Sequence, residues 1–176
     1  RLFYVMVEAP VWQGTAYGGY DYAALSQLAD RLVVRVAAYD DSTGSFPIAP
    51  LEPLEEVYYA LAELRDQVDS DRLSLLVTTT GSAWTGGRSS GTISAAEIEA
   101  LLASAQTQDY YSDRYACAYL TADDGSTAVW YLDGASLLER ARMAAFFGVG
   151  QLCLSDLSSV ADYENYDLLG SLTAEP

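Results

Sequence analysis

The sequence predicts an α/β fold built around a parallel sheet, and three observations carry that expectation. Apolar runs at 2–7, 32–38, 73–79 and 151–154 are continuous rather than alternating, which suits strands covered on both faces. Stretches with helical spacing of apolar residues separate those runs, the alternation that builds βαβ units. Over 176 residues the composition is 51% apolar and 19% charged, which fits one globular domain with enough chain for a core.

In chain order, the run Leu2-Phe3-Tyr4-Val5-Met6-Val7 is the first expected strand and closes on Glu8-Ala9-Pro10. Residues 12–20 are rich in glycine and aromatics and read as a loop. Asp21 is placed to cap a short helix with Tyr22, Leu25, Leu28 and Ala29 on one face. The second strand, within 29–40, ends by presenting Tyr39 and Asp40. A loop (41–46) and Pro47-Ile48-Ala49-Pro50 follow it. Polar groups delivered at the carboxyl end of a buried strand are how parallel α/β barrels build sites, so the rest of the chain is organised around this stretch.

The next helix is expected from Glu52, with Pro53 in its first turn and Glu55 and Glu56 complementing its dipole. Leu54, Val57, Tyr58, Leu61, Leu64 and Val68 give it an apolar face. After the third strand, 81–91 reads as a flexible loop carrying Trp84 and Arg88. Ser94-Ala95-Ala96-Glu97 is a capping box, with Ile93 and Ile98 spaced for a hydrophobic staple. Asp123-Asp124-Gly125, between 115–121 and 127–131, signals a β-hairpin. Asp133 caps a last helix with Leu137, Leu138, Ala141, Ala144 and Ala145 inward, and Gly148 ends it. The count is four parallel strands, where a (β/α)8 barrel needs eight.

Charge and cysteine content narrow the function. The net charge is −16, from 25 acidic residues and nine arginines, with neither lysine nor histidine. Such a surface repels phosphate backbones and anionic lipid, so nucleic acid and membrane surfaces are poor partners, whereas a neutral glycan is compatible. Without histidine, acid–base work would fall to carboxylates and tyrosines. Cys117 and Cys153 lie in apolar runs without metal-ligand spacing and read as two buried free thiols. Neither a metal site nor a cofactor is expected, and the acidic clusters (Asp40-Asp41, Asp69-Asp71, Asp123-Asp124) read as turns and solvated faces. The chain opens on Arg1 directly in a strand pattern, as a piece of something longer would.

The order of these pieces resembles the C-terminal half of family 18 glycoside hydrolases, the chitinase-like enzymes, and within them the bacterial branch that trims spore cortex or other peptidoglycan. The residues carrying the resemblance are Asp21-Tyr22-Ala23-Ala24-Leu25 through Ala29-Asp30-Arg31 and Ala38-Tyr39-Asp40 with Ser42-Thr43-Gly44 and Pro47-Ile48-Ala49-Pro50. To these are added Asp123-Asp124-Gly125, Val129-Trp130-Tyr131 and Ser136-Leu137. The resemblance implies an α/β fold that is half of a (β/α)8 TIM barrel, strands five to eight, with a small α+β insertion between the last two strands. The half-barrel would occupy 1–160, the insertion about 81–131, and a tail 161–176. It also implies N-acetylated glycans as partners and a secreted or cell-envelope location, spore-associated in a bacterium.

The family's proton donor comes from a D-x-x-D-x-D-x-E run, which this chain lacks. Asp69-Ser70-Asp71 ends in Arg72 and is not that motif. Three further positions depart from the family: Ala37 stands for the methionine before Tyr39-Asp40, Ser155 for the floor tryptophan of the eighth strand, and Thr80 for an aromatic after the seventh. No catalytic residue is therefore expected. Tyr39 and Asp40 are candidates to hold a sugar acetamide, or else to pack on the rim and brace the following loop. Glu8 is a candidate to face the same mouth, or to be a solvated loop carboxylate. Trp12, Trp84, Tyr17 and Tyr20 are candidates to stack on sugar rings. Trp130, Tyr131, Tyr110 and Tyr111 read as hairpin packing.

Three readings follow. One is a non-catalytic glycan-binding or structural domain. Another is the C-terminal half of an active N-acetylhexosaminidase whose first half supplies the acid. The third is an assembly role, in which open sheet edges pair two copies as a homodimer or receive a missing half-barrel.

Overall fold

The computed structural model of the chain describes residues 1–12, 15–36 and 48–155. They pack as two compact units, one drawn from 1–36, 54–77 and 140–154 and the other from 48–53, 78–139 and 155.

The first unit holds a four-stranded, all-parallel sheet. Its strands are β1 (Tyr4–Glu8), β4 (Arg31–Arg35), β5 (Leu73–Val77) and β11 (Leu152–Leu154), adjacent in that order. The two central strands behave as continuous apolar runs should. Leu32, Val33 and Val34 of β4 and Leu73, Leu75 and Val77 of β5 are buried. Helices α1 (Tyr22–Leu28) and α2 (Leu54–Leu64) supply the crossovers. Asp21 caps α1 as expected, accepting the Ala24 N–H at 2.9 Å. The N–H groups of Phe3 and Asp30 bond to the Asp30 carboxylate and the Phe3 carbonyl respectively, fastening the entries of β1 and β4 together.

Several expectations need correction here. β1 is an outer strand rather than one covered on both faces: Val7 is buried, but Tyr4 and Met6 are exposed on the other face. The buried face of α1 is Tyr22 and Ser26 with Ala29, and Leu28 is 77% exposed, because the helix is seven residues long and turns its last apolar side chain outward. α2 starts at Leu54, after Pro53, and Tyr58 is exposed beside Phe147 (ring centroids 5.6 Å apart). Cys153 is half-buried rather than buried, since β11 is the opposite outer strand; the two cysteines are not joined in a disulfide, and the Cys117 thiol donates to the Tyr131 carbonyl at 3.2 Å.

The second unit holds a five-stranded antiparallel sheet in the order β7 (Arg88–Ile93), β6 (Gly81–Thr85), β10 (Thr127–Tyr131), β9 (Cys117–Ala122), β8 (Thr107–Ser112). The β9–β10 hairpin forms around Asp123-Asp124-Gly125, with Gly125 at φ 68° and Asp124 accepting the Ser126 N–H. The expected loop at 81–91 is instead the β6–β7 hairpin. Gly86 and Gly87 both take positive φ (58° and 80°), the conformation a tight twisted hairpin turn requires. β8 was also unforeseen: its Thr-Gln-Asp-Tyr-Tyr-Ser sequence is mostly exposed and offers no apolar alternation.

Helix α3 (Ala95–Leu102) opens on the expected capping box. The Glu97 N–H bonds to the Ser94 hydroxyl, and the Ser94 N–H returns to the Glu97 carboxylate at 2.9 Å. The tips of Ile93 and Ile98 converge on Gly81, where an added Cβ would lie 2.9 Å from each and 2.6 Å from the Trp130 carbonyl oxygen. Only glycine allows that approach.

Helix α4 (Gly134–Phe146) begins in the second unit and ends in the first. Asp133 caps it through the Ser136 N–H, and Gly148 ends it at φ 76°, with the Gly148 and Val149 N–H groups bonding back to Ala145 and Ala144. Its buried positions are Ser136, Leu137, Arg140 and Ala144, so the inward row passes through an arginine and leaves Ala145 exposed. A charged residue at a core position is what an apolar-spacing argument misses.

Candidate functional site

At the carboxyl end of β1 the chain doubles back. Pro10 is followed by a two-stranded ribbon, β2 (Val11–Trp12) and β3 (Thr15–Ala16), and the Tyr17 N–H returns to the Pro10 carbonyl. The loop then runs through Gly18 and Gly19 to the cap of α1. An added Cβ at either glycine would meet nothing within 4 Å, so both border open space.

This arrangement encloses a cleft of about 340 Å³, with Glu8 and Ala9 on the strand side and Tyr17, Gly18, Gly19, Tyr20 and Tyr22 on the loop side. The volume falls in the range of small-ligand sites. Tyr22 is buried and donates its hydroxyl to the Glu8 carbonyl at 2.9 Å, so it is the fixed floor. Burial, then the neighbouring Tyr20 and Glu8, push its hydroxyl above the ordinary tyrosine value. Tyr20 leans on Tyr22 at 5.8 Å and 56°, leaving its own ring and that of Tyr17 open to solvent.

The Glu8 side chain is partly exposed and ion-pairs with Arg35, which stands opposite it in the parallel ladder. The Ala9 N–H bonds to the Arg35 carbonyl at 2.8 Å and holds the strand end in register. The cleft thus offers aromatic faces, an acceptor carboxylate and a guanidinium beside it. Such a set can grip a polyhydroxylated ring by stacking and hydrogen bonding. Among the described residues, no group of three or more acidic or cysteine side chains could hold a metal ion.

The sequence candidates separate. Glu8, with Tyr17 and Tyr20, comes together in this cleft. Trp12 lies in β2, paired with Thr15. Tyr39 and Asp40 lie outside the described residues. Trp84 is in β6 rather than in a loop and is 2% exposed, its indole N–H donating to the Ala49 carbonyl at 3.0 Å. It packs in the core of the second unit with Tyr115, Cys117 and Trp130.

Sequence reasoning missed Tyr22 as the floor, because its position on a helix face read as ordinary core. Glu52, expected to begin α2, instead precedes that helix as a buried structural tie. Its buried carboxylate accepts the Thr78 N–H at 3.0 Å and the Thr78 hydroxyl at 2.5 Å. Beside it, Ser155 accepts the Thr79 N–H at 3.1 Å. Where the family resemblance called for an aromatic floor, this chain therefore places a serine that ties down the segment after β5. Asp69-Ser70-Asp71 leads into a short 3₁₀ turn whose Arg72 guanidinium donates to the carbonyls of Ser26 and Ala29, a structural use.

No protein-family model and no curated protein sequence matches this chain. Solved structures do. The fold matches a chitinase from Chromobacterium violaceum with a TM-score of 0.76 and 21% identity, over 98% of this chain and 54% of that one. It matches the spore cortex-lytic enzyme SleL of Bacillus cereus with a TM-score of 0.74 and 16% identity, over 98% of this chain and 41% of that one. It matches a GH18 chitinase from Cycas revoluta, solved with (GlcNAc)3, with a TM-score of 0.73 and 15% identity, over 90% and 52% respectively. The resemblance read from the sequence is thus borne out at the level of the fold, a mixed α/β chain with two sheets. The chain spans about half the length of the structures it matches.

Proposed function

We propose that this chain is a carbohydrate-binding domain with the fold of half a family 18 glycoside hydrolase, and that it holds N-acetylated glycans without cleaving them. The observation that carries this reading is the tyrosine-lined cleft beside Glu8, at the carboxyl end of a strand in a parallel sheet. On this reading β1, β4, β5 and β11 are strands five to eight of a barrel, and the antiparallel sheet is the insertion between the last two. Tyr39 and Asp40 follow β4 in sequence, at the two positions to which the resemblance assigns the acetamide ligands. Spore cortex-lytic enzymes among the similar folds support a cell-envelope setting.

Absence of hydrolysis follows from the missing acidic run and from Ser155 and Thr80. The purified 176-residue chain is expected to bind N-acetylglucosamine oligomers by calorimetry and to release no chromophore from an N-acetylglucosaminide. Tyr20→Ala should weaken binding about 3- to 10-fold, the worth of one stacked ring. Measurable turnover would instead favour the alternative, an active N-acetylhexosaminidase of which this is one half. Unaltered binding by Tyr20→Ala would remove the cleft from the site.

Assembly is a second reading, favoured by one observation. On the outer strand β1 and its approach, Leu2, Phe3 and Met6 are 76%, 58% and 57% exposed, beside a strand edge that pairs with no other strand among the described residues. A second copy, or another β/α half, pairing there would cover that surface. A dimer is expected by sedimentation at micromolar concentration, and a monomer would count against the pairing of two copies.

A further inference from the structure

Among the described residues lining the cleft of the first unit, three are tyrosines, Tyr17, Tyr20 and Tyr22, and the only charged one is Glu8. The Tyr20 and Tyr22 rings are 5.8 Å apart and tilted by 56°. Rings at that angle cannot both lie flat against one sugar ring. Two walls meeting at an angle suit a compact, rounded group instead. Tyr22 is buried and held by its hydroxyl bond to the Glu8 carbonyl at 2.9 Å. Tyr17 and Tyr20, 56% and 45% exposed, are the open walls.

The electrostatics of these groups share one sign. The face of an aromatic ring is electronegative, and a cation placed over it is attracted by the ring quadrupole. Glu8 adds a full negative charge at the same opening. Arg35 engages its Oε1, and Oε2 has no hydrogen-bond or ion-pair partner among the described residues. After burial and Tyr20, the Glu8 charge also helps to hold the Tyr22 hydroxyl above its ordinary value, so it is felt inside the cleft. The whole chain, at a net charge of −16, concentrates small cations around itself.

We infer that this cleft is an ammonium site, in which the rings of Tyr17, Tyr20 and Tyr22 and the Glu8 carboxylate hold a protonated or quaternary alkylammonium group. The inference rests on the part of the reading above that makes this cleft the ligand site, and it names the group selected there. Several aromatic walls with one carboxylate are the surroundings that suit such a cation, which is too weakly hydrated to need a full shell of oxygen ligands. Two sources share the chemistry. One is the free amine of a glucosamine unit in a partly de-N-acetylated glycan, and the other is a trimethylammonium group such as that of choline.

The test is calorimetric titration of the full chain, in mildly acidic buffer that keeps the amine protonated, with choline, its uncharged tert-butyl isostere, glucosamine hexasaccharide and N-acetylglucosamine hexasaccharide. Choline should bind about 2- to 30-fold more tightly than its isostere, the worth of a cation over an aromatic ring. The free-amine hexasaccharide should exceed the N-acetylated one by a similar factor, and added salt should weaken both ammonium ligands. Whichever of them binds more tightly identifies the source. Tyr20→Leu should lose that factor while Tyr20→Phe, which keeps the ring, stays near wild type, with near-ultraviolet circular dichroism showing that each variant is folded. If the N-acetylated hexasaccharide binds as tightly as the free-amine one and choline no better than its isostere, the ammonium site is overturned and the glycan reading stands. If the ammonium ligands bind and the N-acetylated sugar does not, the ammonium site stands and the N-acetylated reading fails. Ammonium binding that Tyr20→Leu leaves unchanged overturns the assignment to this cleft.

Discussion

Trp84 shows what a single side chain does in this protein and how its surroundings disguise it in the sequence. Flanked by Gly81, Gly86 and Gly87, it looks like an exposed loop aromatic; the Gly86-Gly87 turn instead folds 81–93 into a hairpin and draws the indole inward. Trp84→Ala should cost about 3–5 kcal/mol, and Trp84→Phe less, chiefly the hydrogen bond to Ala49, both measured by urea denaturation. Gly81→Ala should be destabilising despite adding one methyl, because the Trp130 carbonyl occupies the space. Two tyrosines set the alkaline limit. Tyr22 and Tyr131 have hydroxyls pushed up chiefly by burial, so the neutral form is favoured more in the folded chain than in the unfolded one. Their contribution is fully present below the ordinary tyrosine value of about 10 and is lost as pH rises through the folded values. Ultraviolet titration should find these two ionising above that ordinary value, together with unfolding.

Elements with explicit punctuation were the legible ones. The Asp21, Ser94–Glu97 and Asp133 caps and the Gly148 stop are local chemistry, written in a few adjacent residues, and each appears in the structure as hydrogen bonds. Ser94→Ala should lower stability by about 1 kcal/mol without changing the sheet, as thermal unfolding would show. Burial of whole elements was less legible, because it depends on neighbours distant in sequence. Leu2–Val7 reads like a central strand, yet β1 is an outer one, with Met6 exposed. β8 was invisible because an outer strand of mostly exposed polar residues has no apolar period to detect. In α4 the buried Arg140 interrupts the apolar row that defined the expected face.

For the whole molecule, alternation of strands and helices was enough to give the parallel sheet, and the order of pieces was enough to find the chitinase-like fold. Part of the candidate site was legible: Glu8, Tyr17 and Tyr20 were named from strand-end and loop position, whereas Tyr22 emerges only from packing. Tyr39 and Asp40 lie beyond the described residues. The net charge of −16 with no lysine favours a neutral partner, so binding should change little with salt, unlike that of a polyanion ligand. On the proposed function, the cleft beside Glu8 holds a glycan that this chain does not cut. Amide chemical-shift mapping during titration with N-acetylglucosamine hexasaccharide tests it most directly. Saturable shifts are expected at Glu8, Ala9, Gly18, Gly19 and Tyr20, with the sugar recovered at full length. Unmoved amides throughout that loop at millimolar sugar, or recovery of shortened oligomers, would contradict it.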